Sequence, residues 1–410
     1  MGKSEVEGDE MKRALFMTVG TGVGLDKEKK VRNLAHGLLT SIEHYNPDII
    51  VFFGSEESKE TIESLKAQYH DKKGRDLRNY EFVRLDDIDD FYECYVKIEE
   101  EIKKKEGDYE IIIDYTSGTK TMTTSAAICA MLYQKKLSLI EGKRGKDGIV
   151  MRGTEAPKEQ SLFAAYDKFL LDKAKEAFNS YRFGEAMGYI DKIVALEEKE
   201  TYRKIVQAYD LWDKFEHESA YEILREIRRE FGANKEFLAK LIKAGREKPS
   251  PYIIVDILNN ARRRIEEGKY DDAVARLYRT VELIAQYILR EKYDIDSSNV
   301  DIWHLQTLGM EGKIREKYEG LRDEKGKIKL SLKRDYELLK DLGDEMGKRF
   351  FEDNLMQELL SKRNNSILAH GLEPVSREDA EKMFEVVRGY VEEVVPDARI
   401  LMEKSAFPKL

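Results

Sequence analysis

Asp48-Ile49-Ile50-Val51-Phe52-Phe53-Gly54 decides how the N-terminal part of this chain folds. Its interior is apolar at every position, with no polar alternation, and it ends on a glycine. A strand that is apolar on both faces needs cover on both faces, which helices provide in a parallel sheet. Upstream, Arg13 to Gly20 is a similar run that enters the turn Gly20-Thr21-Gly22-Val23-Gly24, and a helix is predicted from Lys27 to Tyr45. Downstream, helical spacing runs from Ser58 to Tyr69. Tyr80–Leu85 and Glu110–Tyr115 read as further strands with a charged helix between them. Ala126–Gln134 reads as a helix, and Leu137–Glu141 and Gly148–Arg152 as the last strands. Strands alternating with amphipathic helices specify a doubly wound parallel sheet, an α/β domain.

From about Ser161 the pattern becomes helical only. Phe163–Tyr181, Phe183–Leu196, Tyr202–Arg229 and Lys235–Arg246 form helical hairpins, with a faint repeat-like spacing of Ala174, Phe178, Tyr181 and Ala186 that does not amount to an array. Glu247-Lys248-Pro249-Ser250-Pro251 is the clearest linker. After it come a helix from Tyr252 to Glu266 and a second, from Tyr270, with an apolar stripe at positions 274, 277, 281, 284, 285 and 288. Arg279 and Glu282 lie at the edge of that stripe as a three-apart pair. Gly320–Leu332 is a loop with a basic excursion, and Arg377–Val394 a closing helix. The expected organisation is therefore α/β plus all-α: a sheet domain over residues 11–155, a helical middle segment over 156–250 and a helical C-terminal domain over 251–405.

Composition narrows the function. Of 410 residues, 37% are charged and the net charge is −9, which disfavours a broad basic nucleic-acid face and leaves any RNA to a local cleft. No apolar run reaches membrane-spanning length, and Met1–Glu10 is polar and acidic without a signal-type apolar core. Cys94 and Cys129 form no C-x-x-C pair and have no histidine at metal-ligand spacing, so they read as reduced and buried, in a cytoplasmic protein. His36, His44, His70, His217 and His304 stand singly, in surface or packing roles. No metal site is expected.

Two glycine turns lie where an open parallel sheet binds ligands, beyond the C-terminal strand ends. Thr18-Val19-Gly20-Thr21-Gly22-Val23-Gly24 fails the dinucleotide fingerprint, which needs glycine where Leu25 stands. Asp114-Tyr115-Thr116-Ser117-Gly118-Thr119-Lys120-Thr121-Met122-Thr123-Thr124 is not a P-loop, since Ile113 stands where a first glycine belongs. It nevertheless offers a helix N-terminus, a glycine, several hydroxyls and a lysine, the equipment of a phosphate or ribose site. The bland reading is that Thr and Ser cap the helix starting near Lys120 while that lysine is solvated. Glu141-Gly142-Lys143-Arg144-Gly145 is a hairpin turn or part of the same rim.

Near the other end stands Arg363-Asn364-Asn365-Ser366-Ile367-Leu368-Ala369-His370-Gly371. Phe351, Leu355 and Leu359 precede it at helical spacing, and Ile367 and Leu368 resume the apolar pattern. Gly371 reads as a left-handed C-cap, and Pro374 stops the helix. Asn-Asn-Ser inside a helix costs propensity, which suggests a purpose other than stability. Seven residues apart, Arg363 and His370 would share one helical face about 10 Å apart along the axis. An imidazole can act as general base toward a ribose 2′-hydroxyl or as general acid toward the leaving 5′-oxygen, while a guanidinium stabilises charge on the phosphate. Acid and base together need two histidines, hence a two-fold dimer.

Taken together, these motifs resemble the accessory ribonucleases of type III CRISPR systems, which join a CRISPR-associated Rossmann-fold (CARF) sensor domain to a C-terminal HEPN ribonuclease domain. The resemblance rests on Thr18–Gly22, on Asp114–Thr123 and on Arg363 with six residues before His370, and it covers nearly the whole chain. It implies a homodimer that binds a cyclic oligoadenylate across its two-fold axis, allosterically activating metal-independent cleavage of single-stranded RNA to a 2′,3′-cyclic phosphate and a 5′-hydroxyl. Carried onto this sequence, Thr18, Gly20, Thr21, Gly22, Thr116, Ser117, Gly118, Thr119, Lys120 and Thr121 would line the ligand pocket. Arg363 and His370 would be catalytic, with Asn364 orienting the phosphate or the imidazole. The tetra-adenylate ring is favoured on family grounds, and some members also degrade their activator, a reaction that Thr21, Ser117 and Lys120 would support. The alternative is a cyclic-oligonucleotide-binding sensor with an inactive HEPN domain, against which the intact Arg363, Asn364 and His370 argue. The missing dinucleotide fingerprint disfavours an oxidoreductase, and the large sensor domain disfavours a simple toxin. Neither DNA nor a membrane is an expected partner.

Overall fold

In the computed structural model, which describes residues 11–21, 26–143, 150, 153–227, 231–245 and 248–410, the apolar runs near the N-terminus form one sheet. The elements are β1 (Lys12–Thr18), α1 (Lys27–Tyr45), β2 (Ile49–Gly54), α2 (Lys59–Lys73), β3 (Tyr80–Arg84), α3 (Phe91–Lys105), β4 (Tyr109–Asp114), α4 (Lys120–Leu132), β5 (Lys136–Glu141) and β6 (Ala156–Gln160). Strand order is β3-β2-β1-β4-β5-β6, parallel except for β6. Successive side chains alternate between two buried layers, as a strand's two-residue period requires. Phe16, Val51, Phe53, Ile111 and Ile113 pack with residues of α3 and α4, whereas Leu15, Met17, Ile50, Phe52 and Ile112 pack with residues of α1 and α2. Burial of each such side chain contributes about 1.5–3 kcal/mol. Successive strands are added to one side from β1 to β3 and to the other from β4 to β6, so the crevice of a doubly wound sheet opens at the ends of the parallel neighbours β1 and β4.

The strand expected at Gly148–Arg152 falls, apart from Val150, outside the described residues, as does the Met1–Glu10 lead. The last described strand is instead β6, antiparallel to β5. Its sequence, Ala-Pro-Lys-Glu-Gln, has no apolar run to betray it, because an edge strand can be polar. Cys94 and Cys129 are free and buried. Burial pushes their thiols up to about 11 and about 12, so both remain protonated at neutral pH.

The sheet belongs to one compact unit, and Leu170–Ile193 with Glu197–Leu410 forms a second. The helices continue as α5 (Phe163–Asn179), α6 (Phe183–Asp191), α7 (Lys199–Asp213), α8 (His217–Glu226), α9 (Gly232–Ala244), α10 (Pro251–Glu266), α11 (Tyr270–Tyr293), α12 (Ile302–Thr307), α13 (Lys313–Glu319), α14 (Leu332–Asp341), α15 (Glu345–Glu352), α16 (Asn354–Asn364), α17 (Arg377–Val394) and α18 (Ala398–Lys404). One core runs through this second unit, and the predicted α11 stripe lies wholly within it. Ala174, Phe178 and Ala186, the repeat-like positions, are core residues of the α5–α6 hairpin. The single helix expected over Tyr202–Arg229 is broken into α7 and α8 at Phe215, whose φ is +64°. Glu216 N–H donates to Leu211 O at 2.9 Å and Phe215 N–H to Trp212 O at 2.8 Å, closing the helix in the manner of a Schellman turn. Tyr181 and Phe231 also sit in the left-handed region at helix junctions. Each of the three rings meets another ring: Tyr181 and Phe407, Phe215 and His217, Phe231 and Tyr209. Such packing holds a conformation normally left to glycine or asparagine. His217, read as a lone packing residue, is buried beside Asp256 at 2.9 Å, and Trp212 Nε1–H donates to the same carboxylate at 2.8 Å.

Candidate functional site

Around Arg363 the structure departs from a continuous helix. Asp353 caps α16 by accepting from Met356 N–H at 2.9 Å, and Met356, Leu359 and Leu360 bury its inner face. The helix then stops at Asn364, where Asn-Asn-Ser ceases to support it. Arg363 lies in its last turn, while His370 lies in the following turn segment, so the two do not share a helical face. A tight loop brings them together instead. Ala369 N–H and Gly371 N–H both donate to Ser366 O, at 3.0 and 3.2 Å, and His370 N–H donates to Asn364 O at 3.1 Å. His370 thus returns to the helix end that carries Arg363 and Asn364.

Gly371 also has a different task from the expected one. It is absent from the positive-φ residues, hence no left-handed cap. A Cβ at this position would stand 1.8 Å from Asn365 O, so glycine is required for close backbone approach. Ile367 and Leu368 do not resume a buried stripe: they are 58% and 53% exposed, and nearby Leu372 is 88% exposed. The reason is that the helix has ended before them.

Arg363 is oriented from two sides. Its guanidinium carbon lies 4.1 Å from the centroid of the Tyr278 ring, and its Nη1 donates to Asn364 Oδ1 at 3.2 Å. Stacking over a ring fixes a guanidinium plane while leaving its edge free to meet phosphate. Tyr278 belongs to the site, yet nothing in its sequence context distinguishes it from any half-buried helix aromatic. Val375 N–H, past the loop, donates to Asp271 Oδ2 at 3.2 Å and ties the loop exit to α11.

In the first unit, the two glycine turns meet at the ends of β1 and β4. Gly20 N–H donates to Ser117 Oγ at 2.9 Å, and Thr18 Oγ1–H donates to Ser117 O. The approach is so close that a Cβ on Gly20 would lie 3.1 Å from Gly118 N; Gly118 has φ +117°. Most of the predicted ligand hydroxyls are spent on this architecture. Thr18 and Ser117 are buried, at 1% and 4% exposure, Thr116 Oγ1 accepts from Ile140 N–H at 2.8 Å, and Thr119 Oγ1 caps α4 at Met122 N–H while donating to Ile88 O. The capping reading therefore holds for Thr119. Below them Asp114 is buried, accepting from Ser41 Oγ–H and from Thr116 N–H; burial raises its pKa. What faces the opening is the α4 N-terminus with exposed Gly118 and Lys120 and half-exposed Thr21 and Thr121. Gly22 lies outside the described residues, as do Arg144 and Gly145 of the predicted rim. Among the described residues no group of three or more His, Cys, Asp or Glu side chains is arranged for a metal, and no helix is long and apolar enough to cross a membrane.

Comparison with known proteins adds the context for both sites. Residues 166–249 match the family model of the Csm6 6H domain, and residues 242–393 that of the Csm6 HEPN domain, which includes Arg363, Asn364 and His370. No curated protein matches the sequence. Among solved structures, Enterococcus italicus Csm6 bound to cyclic hexa-2′-fluoro-hexa-dAMP has a similar fold, with a TM-score of 0.64 at 15% identity over 96% of this chain and 98% of that one. The two domain matches and the shared fold support a Csm6-type accessory protein of type III CRISPR systems.

Proposed function

We propose that the chain is a metal-independent, single-strand-specific endoribonuclease switched on by a cyclic oligoadenylate bound in its CARF domain. The observation that carries this reading is the loop that returns His370 to Asn364 at the end of α16, beside the Tyr278-stacked Arg363. In the proposed reaction His370 removes the proton of a ribose 2′-hydroxyl. The 2′-oxygen attacks the adjacent phosphorus, and the P–O5′ bond breaks. His370 of a second copy protonates the 5′-oxygen, leaving a 2′,3′-cyclic phosphate and a 5′-hydroxyl. Arg363 stabilises charge on the non-bridging oxygens, and Asn364 holds the guanidinium in place. The exposed Ile367, Leu368 and Leu372 beside His370 favour a homodimer through this face, since clustered apolar surface favours a partner.

The activator would lie in the crevice between β1 and β4, its phosphates toward Lys120 and the α4 N-terminus. The solved structure of similar fold holds a cyclic six-nucleotide analogue and the family argument favours a four-nucleotide ring, so both sizes belong in any assay. Slow cleavage of the ring in this pocket would fall to Thr21 and Lys120, because the Ser117 hydroxyl is committed to Gly20. Lys120→Ala should weaken activator binding by about tenfold or more, the worth of one charged hydrogen bond, without lowering thermal stability. Calorimetric titration measures this, and an unchanged affinity would remove Lys120 from the site.

A further inference from the structure

A cavity of about 680 Å³ lies along α11 in the helical unit, and neither the cleavage chemistry nor the activator pocket uses it. Its lining includes Glu282, Gln286, Ser297, Lys248 and Lys329, the last from the basic Gly320–Leu332 loop that the sequence singled out. The position is informative. Tyr278, Glu282 and Gln286 are spaced i, i+4, i+8 and so follow one another along one face of α11. Tyr278 is the ring beneath Arg363, so the cavity begins one turn from the arginine's platform and reaches Gln286 about 12 Å along the helix. Both lysines on its margin are exposed.

The wall is also backed by polar groups in an unfavourable state. Asp335 on α14 is fully buried, and neither of its carboxyl oxygens has a hydrogen-bond partner of acceptable geometry among the described residues. Burial, and then the charge of Glu282, pushes its pKa up to about 8, against the opposing pull of Gln286, Arg279 and Ser297. All four residues bearing on it, Glu282, Gln286, Arg279 and Ser297, line the cavity. A layer built for stability alone would be apolar, because leaving a buried polar group unsatisfied is destabilising. Polar groups kept at that cost beside a cavity suit a ligand-facing wall.

We propose that this cavity is a subsite for the RNA substrate, holding one nucleotide of the strand beyond the bond being cut, with its phosphate at Lys329 and Lys248 and its base edge at Glu282 and Gln286. The inference rests on the ribonuclease reading above. A positively charged margin serves the backbone, which carries no sequence information, and a floor of acceptors and an amide serves the base. The phosphate term makes binding salt-dependent in a countable way: each phosphate neutralised on a single strand adds about 0.7 to the slope of log affinity against log salt.

The test is fluorescence anisotropy with a labelled twelve-nucleotide single-stranded RNA and the full chain carrying His370→Ala, so that the RNA is not consumed. Adding Lys329→Ala should weaken binding about fivefold and lower the salt slope by about 0.7, whereas adding Gln286→Ala should weaken binding about as much with the slope unchanged. Affinity in both variants equal to that of His370→Ala alone, or a slope that Lys329→Ala does not alter, overturns the subsite. The unaltered protein, with cyclic tetra-adenylate or cyclic hexa-adenylate added, is assayed for cleavage of the same RNA. Cleavage with unaffected binding sinks the subsite alone, while absence of cleavage sinks the ribonuclease reading beneath it.

Discussion

Replacing His370 with alanine is expected to lower RNA cleavage by about 10²–10⁴-fold while leaving cyclic oligoadenylate binding intact. The loss should be at the upper end, because the same imidazole serves twice in a symmetric dimer, as base in one copy and acid in the other. Removing it from the gene removes both functions at once. Nothing structural should fail with it: the side chain is exposed, and the loop is held by the backbone of Asn364, Ser366 and Gly371 rather than by the ring. Cleavage of a fluorogenic single-stranded RNA measures the first effect and calorimetry of activator binding the second. A variant that cuts RNA as well as the parent would take His370 out of the chemistry.

Gly371→Ala should be nearly as damaging, for a purely geometric reason. The added methyl would lie 1.8 Å from Asn365 O and 2.3 Å from Asn365 C, both backbone atoms that cannot swing aside. The loop must shift, and His370 precedes the altered residue directly. A displacement of about 1 Å at a catalytic group costs about 10²-fold in rate. Folding should survive, since Met356, Leu359 and Leu360 anchor α16 independently of the loop. A further substitution separates close approach from a left-handed cap: a cap accepts asparagine at little cost, whereas the contact with Asn365 does not. Gly371→Asn is therefore expected to be as inactive as Gly371→Ala. Gly184→Ala, with nothing within 4 Å of its Cβ, should have no effect on cleavage. Recovery of activity in Gly371→Asn would restore the cap interpretation.

The central strands of the sheet were legible because their burial is total. Phe52 and Phe53 point to opposite layers, and both are covered, so the run had to be apolar throughout. β6 was not legible, because an edge strand such as Ala156–Gln160 is free to be polar. The helix break at Phe215 was hidden for a related reason: tertiary ring packing, not local propensity, holds its left-handed conformation. At the candidate site the sequence named Arg363, Asn364 and His370, and the structure brings them together, but by a returning loop rather than a helical face. Residue spacing cannot distinguish these, since hydrogen bonds to Asn364 O and Ser366 O fix the loop. Hydroxyls at the strand ends pointed to a pocket in the same way, yet Thr18 and Ser117 use theirs to hold the two turns together, Thr116 binds β5 and Thr119 caps α4 and holds Ile88. Sequence reports that a polar group is present; its partner is a property of the fold.

The coupling of sensor to nuclease is the central claim, and one assay addresses it most directly. A fluorogenic single-stranded RNA is incubated with the protein in EDTA, with no ring, with cyclic tetra-adenylate and with cyclic hexa-adenylate. The account predicts strong stimulation by one of the two rings, products ending in a 2′,3′-cyclic phosphate, and no stimulated cleavage by His370→Ala. RNA left intact under all three conditions, although a ring binds, would contradict it and leave a sensor whose HEPN domain does not cut.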